Sequence, residues 1–68
     1  MEQVEFKLEG LHCDGCVKSV TRMLTAVPGV DSVQVSLAES KASVAYDPAL
    51  SALADFKRAV ERAGFKAP

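Results

Sequence analysis

Three short segments of the chain alternate polar and apolar residues, which is the pattern of a β-strand with one buried face. The first has apolar side chains at Val4, Phe6 and Leu8 and ends at a glycine. The other two flank a polar turn at residues 39–40, and their apolar positions are Val33, Val35, Leu37, Ala42, Val44 and Tyr46. We therefore predict one strand near the start of the chain and a β-hairpin in its middle.

Two further segments space their apolar residues three or four apart, as on one side of an α-helix. The first begins at Asp14, the expected N-cap, and stops before a Pro-Gly pair; its apolar positions are Val17, Val20, Met23 or Leu24, and Val27. In the second, Ser51 is the expected N-cap and Gly64 marks the end; its apolar positions are Leu53, Phe56, Val60 and Ala63. Residues 65–68 leave room for a short edge strand.

The predicted order is strand, helix, strand, strand, helix, strand, which is the split βαβ order of the ferredoxin-like fold. The fold class is then α+β, with one antiparallel sheet and both helices on the same face. The outward positions of the long strands are polar, which indicates that the other face of the sheet contacts water.

The size of the chain allows one small domain, residues 1–68, and its start at Met1 favours a free-standing protein. Eight basic and nine acidic residues give a net charge of -1, so the overall field does not favour binding to nucleic acid. No segment approaches the roughly 20 apolar residues that cross a bilayer. Because the N-terminus lacks the layout of a secretory signal, we expect a cytoplasmic protein.

The chain has two cysteines, Cys13 and Cys16, in the stretch GLHCDGC between the first predicted strand and the first helix. In a reducing compartment such a pair is more often a metal or redox site than a structural disulfide. The amides at the start of the helix favour an anion, which helps the Cys16 thiol to ionise. Gly10 and Gly15 are expected to let the backbone bend so that both sulfurs face one ion.

Different kinds of site are compatible with this pair. Free cysteines can simply fill space in a core. A thioredoxin-like redox centre requires a longer chain, and Asp14-Gly15 lacks the proline typical of that motif. A closed zinc site needs about four ligands, and His12 and carboxylates are the further donors here. Two thiolates suit a soft ion of low coordination number such as Cu(I), and an exposed ion can pass to thiols of another protein.

The motif GLHCDGC after the first strand, PGV after the first helix and AGF after the second resemble a heavy-metal-associated domain of the copper chaperone type. The resemblance spans nearly the whole chain. It implies that Cys13 and Cys16 bind the metal and that Leu11, where the family usually has methionine, packs beneath the loop. Phe65 would lie near the metal, as a shield or as core packing. His12 favours copper as the metal, because zinc and cadmium relatives often have an acidic residue at this position. Whether His12 is itself a ligand stays open.

The resemblance implies a cytosolic carrier, not an enzyme, that binds Cu(I) and transfers it by thiolate exchange to a copper-transporting P-type ATPase. Alternatives are an excised metal-binding domain of such an ATPase, a chaperone for Zn(II), Hg(II) or Cd(II), and a small thiol-disulfide oxidoreductase. We expect a monomer in the apo state and leave a copper-bridged dimer open. Met1 and Met23 are not expected to bind metal. The partner would dock on basic residues: Lys18, Arg22, Arg58, Arg62 and Lys66.

Overall fold

The computed structural model describes residues 2–68 and shows two helices on a three-stranded sheet. The elements are β1 Glu2–Lys7, α1 Asp14–Thr25, β2 Val30–Ser36, β3 Lys41–Tyr46 and α2 Leu53–Arg62. Their order confirms the predicted ferredoxin-like arrangement, whereas the expectations for Met1 lie outside the described residues. Neither helix formed by residues 2–68 is long and apolar enough to cross a membrane.

The strands are antiparallel and lie in the order β1-β3-β2. Their register aligns apolar residues in two rows across the sheet, Val4-Val44-Val33 and Phe6-Ala42-Val35. Because alternate residues of a strand point to the same face, these rows lie on one side and the polar residues lie on the other. On the polar side, Gln3 Nε2 donates a hydrogen bond of 3.0 Å to Ser43 Oγ.

The predicted strand after α2 is reduced to a single bridge between Glu9 and Lys66. These two residues exchange backbone hydrogen bonds of 2.7 and 3.2 Å. The amide of Phe65 still donates to Val60 O at 3.1 Å, so the chain leaves the helix only one residue before the bridge. Pro68 has no N–H with which to extend a ladder. The bridge nevertheless places the C-terminal segment beside the chain that follows β1.

The core lies between the helices and the sheet. Four helix side chains have no exposed surface: Val20, Leu24, Phe56 and Val60. They belong to one cluster with apolar residues of β1 and β3. Tyr46 packs edge to face against Phe56, with ring centroids 4.8 Å apart. The start of α1 is therefore held in place by packing further along the same helix.

The structure corrects both predicted N-caps. Cys13 caps α1, and Asp14 is the first residue of the helix. Ala52 caps α2 in place of Ser51, because Ala52 is the residue that keeps the extended backbone before the helix. Alanine has no side-chain acceptor, but Asp55 Oδ2 accepts a hydrogen bond of 2.9 Å from the Ala52 amide. The Ser51 hydroxyl is buried and has no hydrogen-bond partner among residues 2–68.

Candidate metal site

The two cysteines lie together where the loop after β1 enters α1. Cys13 is exposed and Cys16 is half-buried. Their sulfur atoms are 2.9 Å apart, and both thiols are free. The structure therefore brings two soft donors close enough to share one ion at the surface of the domain.

Cys13 also begins the helix. Its backbone is extended, with φ −151° and ψ 168°, and its Sγ accepts a hydrogen bond of 3.3 Å from the Cys16 amide. Ser, Thr, Asp or Asn usually supplies this acceptor, so a thiol here takes the capping role. The amide of Val17 donates to Cys13 O at 3.2 Å and closes the first helical turn. The helix thus holds the Cys13 sulfur at the positive end of its dipole.

The capping role of Cys13 was missed from the sequence because Asp14 is the better N-cap by residue type. One signal for it was present. The helical periodicity starts at Val17, and an apolar residue at the start of a helix is commonly the fourth helical residue, four positions after the N-cap. Counting back from Val17 gives Cys13.

Of the two glycines expected to bend the loop, only Gly10 does so. Its φ of +87° lies in the left-handed region, which favours glycine. Gly15 lies inside α1, and a Cβ at this position would be 3.7 Å from Cys13 Sγ, an ordinary contact. The expectation for Gly15 is therefore wrong, and the helical turn itself brings the two sulfurs together.

The pKa of the Cys16 thiol is lowered from its ordinary value. The largest cause is the hydrogen bond with the Cys13 side chain, followed by a hydrogen bond with the backbone of His12. Desolvation acts in the opposite direction but is smaller. A lower pKa increases the thiolate fraction near neutral pH, and the thiolate is the form that binds metal and attacks disulfides.

Two apolar side chains support the loop. Leu11 is buried and belongs to the core cluster, in the position expected from the resemblance. Phe65 is half-buried against the same cluster, and its Cδ1 lies 3.4 Å from the place that a Cβ on Gly10 would occupy. Phe65 therefore packs beneath the loop backbone. A role in shielding a bound ion stays a prediction.

His12 is exposed and forms no three-ligand cluster with the cysteines. Across residues 2–68, no three side chains of His, Cys, Asp or Glu are grouped so that they could hold one metal ion. The donors that the structure brings together in this loop are the two thiols.

The predicted basic residues lie on both helices and on the C-terminal segment. Lys18 lies in the first half of α1. The backbone of Lys66 forms the β-bridge with Glu9, just before the loop. Arg22 is in the last turn of α1, while Arg58 and Arg62 line a groove between the two helices. Lys18 and Lys66 therefore lie on segments that adjoin the cysteine loop.

Comparison with known proteins identifies one family over nearly the whole chain. The model of the heavy-metal-associated domain matches residues 5–66, which include the cysteine loop and both helices. Copper-transporting ATPase 1 of Rattus norvegicus is 35% identical over 66 residues. The match covers 97% of this chain but only 4% of that relative, so the chain spans a small part of its length.

Two solved structures agree with the fold. A copper binding domain from HMA7, a P-type ATPase, has a TM-score of 0.97 and 35% identity, covering 100% of this chain and 92% of that one. The CopZ metallochaperone has a TM-score of 0.95 and 31% identity, covering 98% of this chain and 100% of its own. Since the family match, the fold and the position of the cysteine loop agree, the chain belongs to the heavy-metal-associated domain family.

Proposed function

We propose that this protein is a cytoplasmic copper chaperone made of one heavy-metal-associated domain, residues 1–68. It binds Cu(I) through Cys13 and Cys16 and transfers the ion to a copper-transporting P-type ATPase, and it is not an enzyme. The observation that carries the proposal is the pair of free thiols 2.9 Å apart on an exposed loop. Similarity to a metallochaperone and to copper-transporting ATPases supports copper as the ion.

The donor set favours Cu(I) over Zn(II). Cu(I) prefers sulfur ligands and is stable with two or three of them, whereas Zn(II) in a structural site takes four ligands. The loop supplies Cys13 and Cys16, and His12 does not join them in a cluster within the described part of the chain. Zn(II) would have to complete its coordination with water or with a second molecule.

The two sulfurs differ in a way that suits transfer. Cys13 is exposed in the loop, while Cys16 is half-buried in the helix. A thiolate of the partner would join both sulfurs around the ion before one of them leaves, so that the ion never enters water. Cys13 is the sulfur that an incoming thiolate reaches first, and Cys16 holds the ion meanwhile.

Anaerobic titration against competing chelators tests metal binding, with Cu(I) and Zn(II) compared on the same protein. We expect one Cu(I) per chain and a strong preference over Zn(II). Cys13→Ser and Cys16→Ser each remove one of two soft donors and should weaken Cu(I) binding by several orders of magnitude. Ala38→Ser, in the exposed turn between β2 and β3, is the matched control. Full-strength binding by Cys13→Ser would contradict the site.

A small thiol-disulfide oxidoreductase is the second candidate, because the sulfurs are close and the pKa of Cys16 is lowered. A redox catalyst would cycle between dithiol and disulfide with thioredoxin or glutathione as the electron donor. We expect the protein to give no catalysed reduction of a disulfide substrate under these conditions. Turnover that disappears in Cys16→Ser would support the oxidoreductase instead.

A metal-binding domain of a longer ATPase is a further alternative, because the chain matches 4% of the rat ATPase but 100% of the CopZ metallochaperone, and both kinds of protein carry this domain. A free chaperone and a domain of an ATPase would use the same copper site, so metal titration does not distinguish between them. An immunoblot of native cells, with an antibody raised against this domain, distinguishes them by molecular mass. A free chaperone gives a band near 7.2 kDa. A band many times larger would identify a domain of a transporter.

A further inference from the structure

A groove separates the C-terminal half of α1 from α2. It has a volume of about 300 Å³, and its walls include the apolar residues Met23, Val27 and Leu50. Its α1 wall begins at Met23, which is ten residues after the cap Cys13. At 1.5 Å per residue this places the groove roughly 15 Å along the helix from the cysteine loop. The α1 wall of the groove is therefore distant from the metal site, while the α2 wall extends to Arg62, the last residue of that helix.

Leu50 protrudes from the wall of this groove, and 63% of the residue is exposed. Its position is well defined, since its amide donates to Asp47 O at 3.0 Å and the Asp47 amide donates to Gly29 O at 2.8 Å. Gly29 has φ +85° and packs so closely that a Cβ there would lie 2.7 Å from the Cβ of Leu50. The distal surface, as we call it, comprises the groove, Leu50 and the exposed apolar residues Ala26, Pro28, Pro48, Ala49 and Ala52.

The distal surface is complementary to itself. It contains a protruding leucine next to a recess, and α2 contributes both an acid, Asp55, and a base, Arg58, to the lining of the groove. Asp55 Oδ2 accepts from the Ala52 amide, which leaves the other carboxylate oxygen for an ion pair. A surface that offers both shapes and both charges can pair with a copy of itself about a two-fold axis.

Although the sequence predicted a monomer in the apo state, we propose that the distal surface is the interface of a weak homodimer that forms without metal. In this dimer the α2 helices of the two copies run antiparallel, and Asp55 of each copy faces Arg58 of the other. Leu50 of each copy enters the groove of the other, so that an exposed apolar surface is removed from water. The inference is independent of the proposed function, because neither cysteine takes part.

The dimer should be weak. A standard interface of about 800 Å² per partner would take about a fifth of the 4223 Å² of accessible surface of this domain. The distal surface occupies one end of a single helix pair, so we expect a dissociation constant of about 1 mM. Both cysteine loops would point away from the interface and stay free for exchange. This separates the proposed dimer from one bridged by copper, which requires the cysteines.

Sedimentation equilibrium of the reduced apo protein with a metal chelator, from about 20 µM to about 2 mM, measures the association. The average mass should rise from 7.2 kDa towards twice that value. The double variant Cys13→Ser/Cys16→Ser should associate equally well. Amide shifts that change on dilution should map to Met23, Val27 and Leu50. A constant mass of 7.2 kDa at the highest concentration overturns the proposal.

Leu50→Glu places a charge in the interface and should weaken the dimer at least tenfold. Ala38→Glu adds the same charge in the exposed turn between β2 and β3 and should leave association unchanged. Arg58→Glu removes the ion pair and should weaken the dimer, with its effect greatest at low salt. Leu50 and Arg58 are exposed, so these variants keep the core intact. Dimerisation that survives Leu50→Glu, or that is lost in the double cysteine variant, overturns the proposal.

Discussion

Cys13 performs two tasks that usually fall to different residues. It caps α1 through the hydrogen bond from the Cys16 amide, and it is one of two sulfurs proposed to bind the ion. A hydrogen bond to a charged acceptor is stronger than one to a neutral acceptor, so ionisation of Cys13 on metal binding should strengthen the cap. Binding of a metal by Cys13 would therefore be coupled to the start of α1 through one sulfur atom.

The contact between the two thiols can be tested by titration of Cys16. The Cys13 side chain is the largest cause of the lowered pKa of Cys16. Cys13→Ala removes this hydrogen bond, so the pKa of Cys16 should rise towards its ordinary value and the thiolate fraction at neutral pH should fall. The ultraviolet absorbance of the thiolate measures this as a function of pH. An unchanged titration curve in Cys13→Ala would contradict the assigned cause.

His12 is next to the proposed ligand Cys13, and a single substitution tests whether His12 also binds the metal. Its side chain is exposed and joins no three-ligand cluster within residues 2–68. We therefore expect His12→Ala to change the Cu(I) affinity by less than about tenfold, or about 1.4 kcal/mol. Chelator competition measures the affinity, and X-ray absorption of the copper-loaded protein identifies the ligand atoms. A nitrogen ligand in the monomer, or a much larger loss of affinity, would make His12 a ligand.

At the scale of the elements, the start of α2 shows how a helix is capped when its N-cap residue is alanine. Asp55 accepts from the Ala52 amide, and Asp55→Ala should lower the free energy of unfolding by about 1 kcal/mol. Asp55→Asn keeps an acceptor and is the matched control, with a smaller loss expected. Urea unfolding followed by circular dichroism measures these differences. Equal stability of Asp55→Ala and the parent protein would show that the side chain does not cap the helix.

Ser51, the residue before the N-cap Ala52, is a position where removal of the side-chain hydroxyl should not destabilise the protein. The Ser51 hydroxyl is buried without a partner among residues 2–68, and burying an unpaired hydroxyl is unfavourable. Ser51→Ala removes this group with little change in volume, so the protein should be as stable or more stable by up to about 1 kcal/mol. The same urea experiment measures it. A clear loss of stability in Ser51→Ala would instead indicate that the hydroxyl is hydrogen-bonded in solution, for example to water.

Periodicity predicted every helix and three strands because burial is set by spacing along the chain. The rows Val4-Val44-Val33 and Phe6-Ala42-Val35 follow directly from alternation. The caps were wrong because several adjacent residues can serve as a cap, and only the packed backbone decides which one keeps the extended conformation. The last strand was too long in the prediction, because Phe65 remains bonded to the end of α2. The sulfur pair was predictable from its spacing, but the role of Cys13 in the helix was not.

For the whole molecule, the important feature is that two surfaces lie apart from one another. The cysteine loop is at the start of α1, and the distal surface is at the end of the same helix. Packing of Val20 and Leu24 in the core fixes the helix between them. If both proposals hold, a partner would be able to exchange an ion at the loop while the distal surface is occupied. Substitutions in one surface should leave the function of the other unchanged.

The proposed delivery of the ion would depend on a docked complex, because a tight carrier has to release copper faster than copper dissociates spontaneously. Lys18 and Lys66 are exposed and lie on the elements that flank the loop. Charge on such a surface acts mainly on the rate of encounter with a partner. Lys18→Glu/Lys66→Glu should therefore slow transfer to an isolated heavy-metal-associated domain of a copper ATPase, while the Cu(I) affinity stays nearly the same.

The effect of the double reversal should fade as salt is added, since the screening length is only about 10 Å at 0.1 M ionic strength. Lys41→Glu/Lys7→Glu is the matched control, because it reverses two exposed lysines that lie opposite one another on β1 and β3. Stopped-flow measurement of copper transfer at low and high salt gives the rates. Equal rates for both double variants at low salt would remove the docking role of Lys18 and Lys66. Transfer no faster than spontaneous dissociation of copper would show that no shared-thiolate complex forms, whatever the charges on the surface.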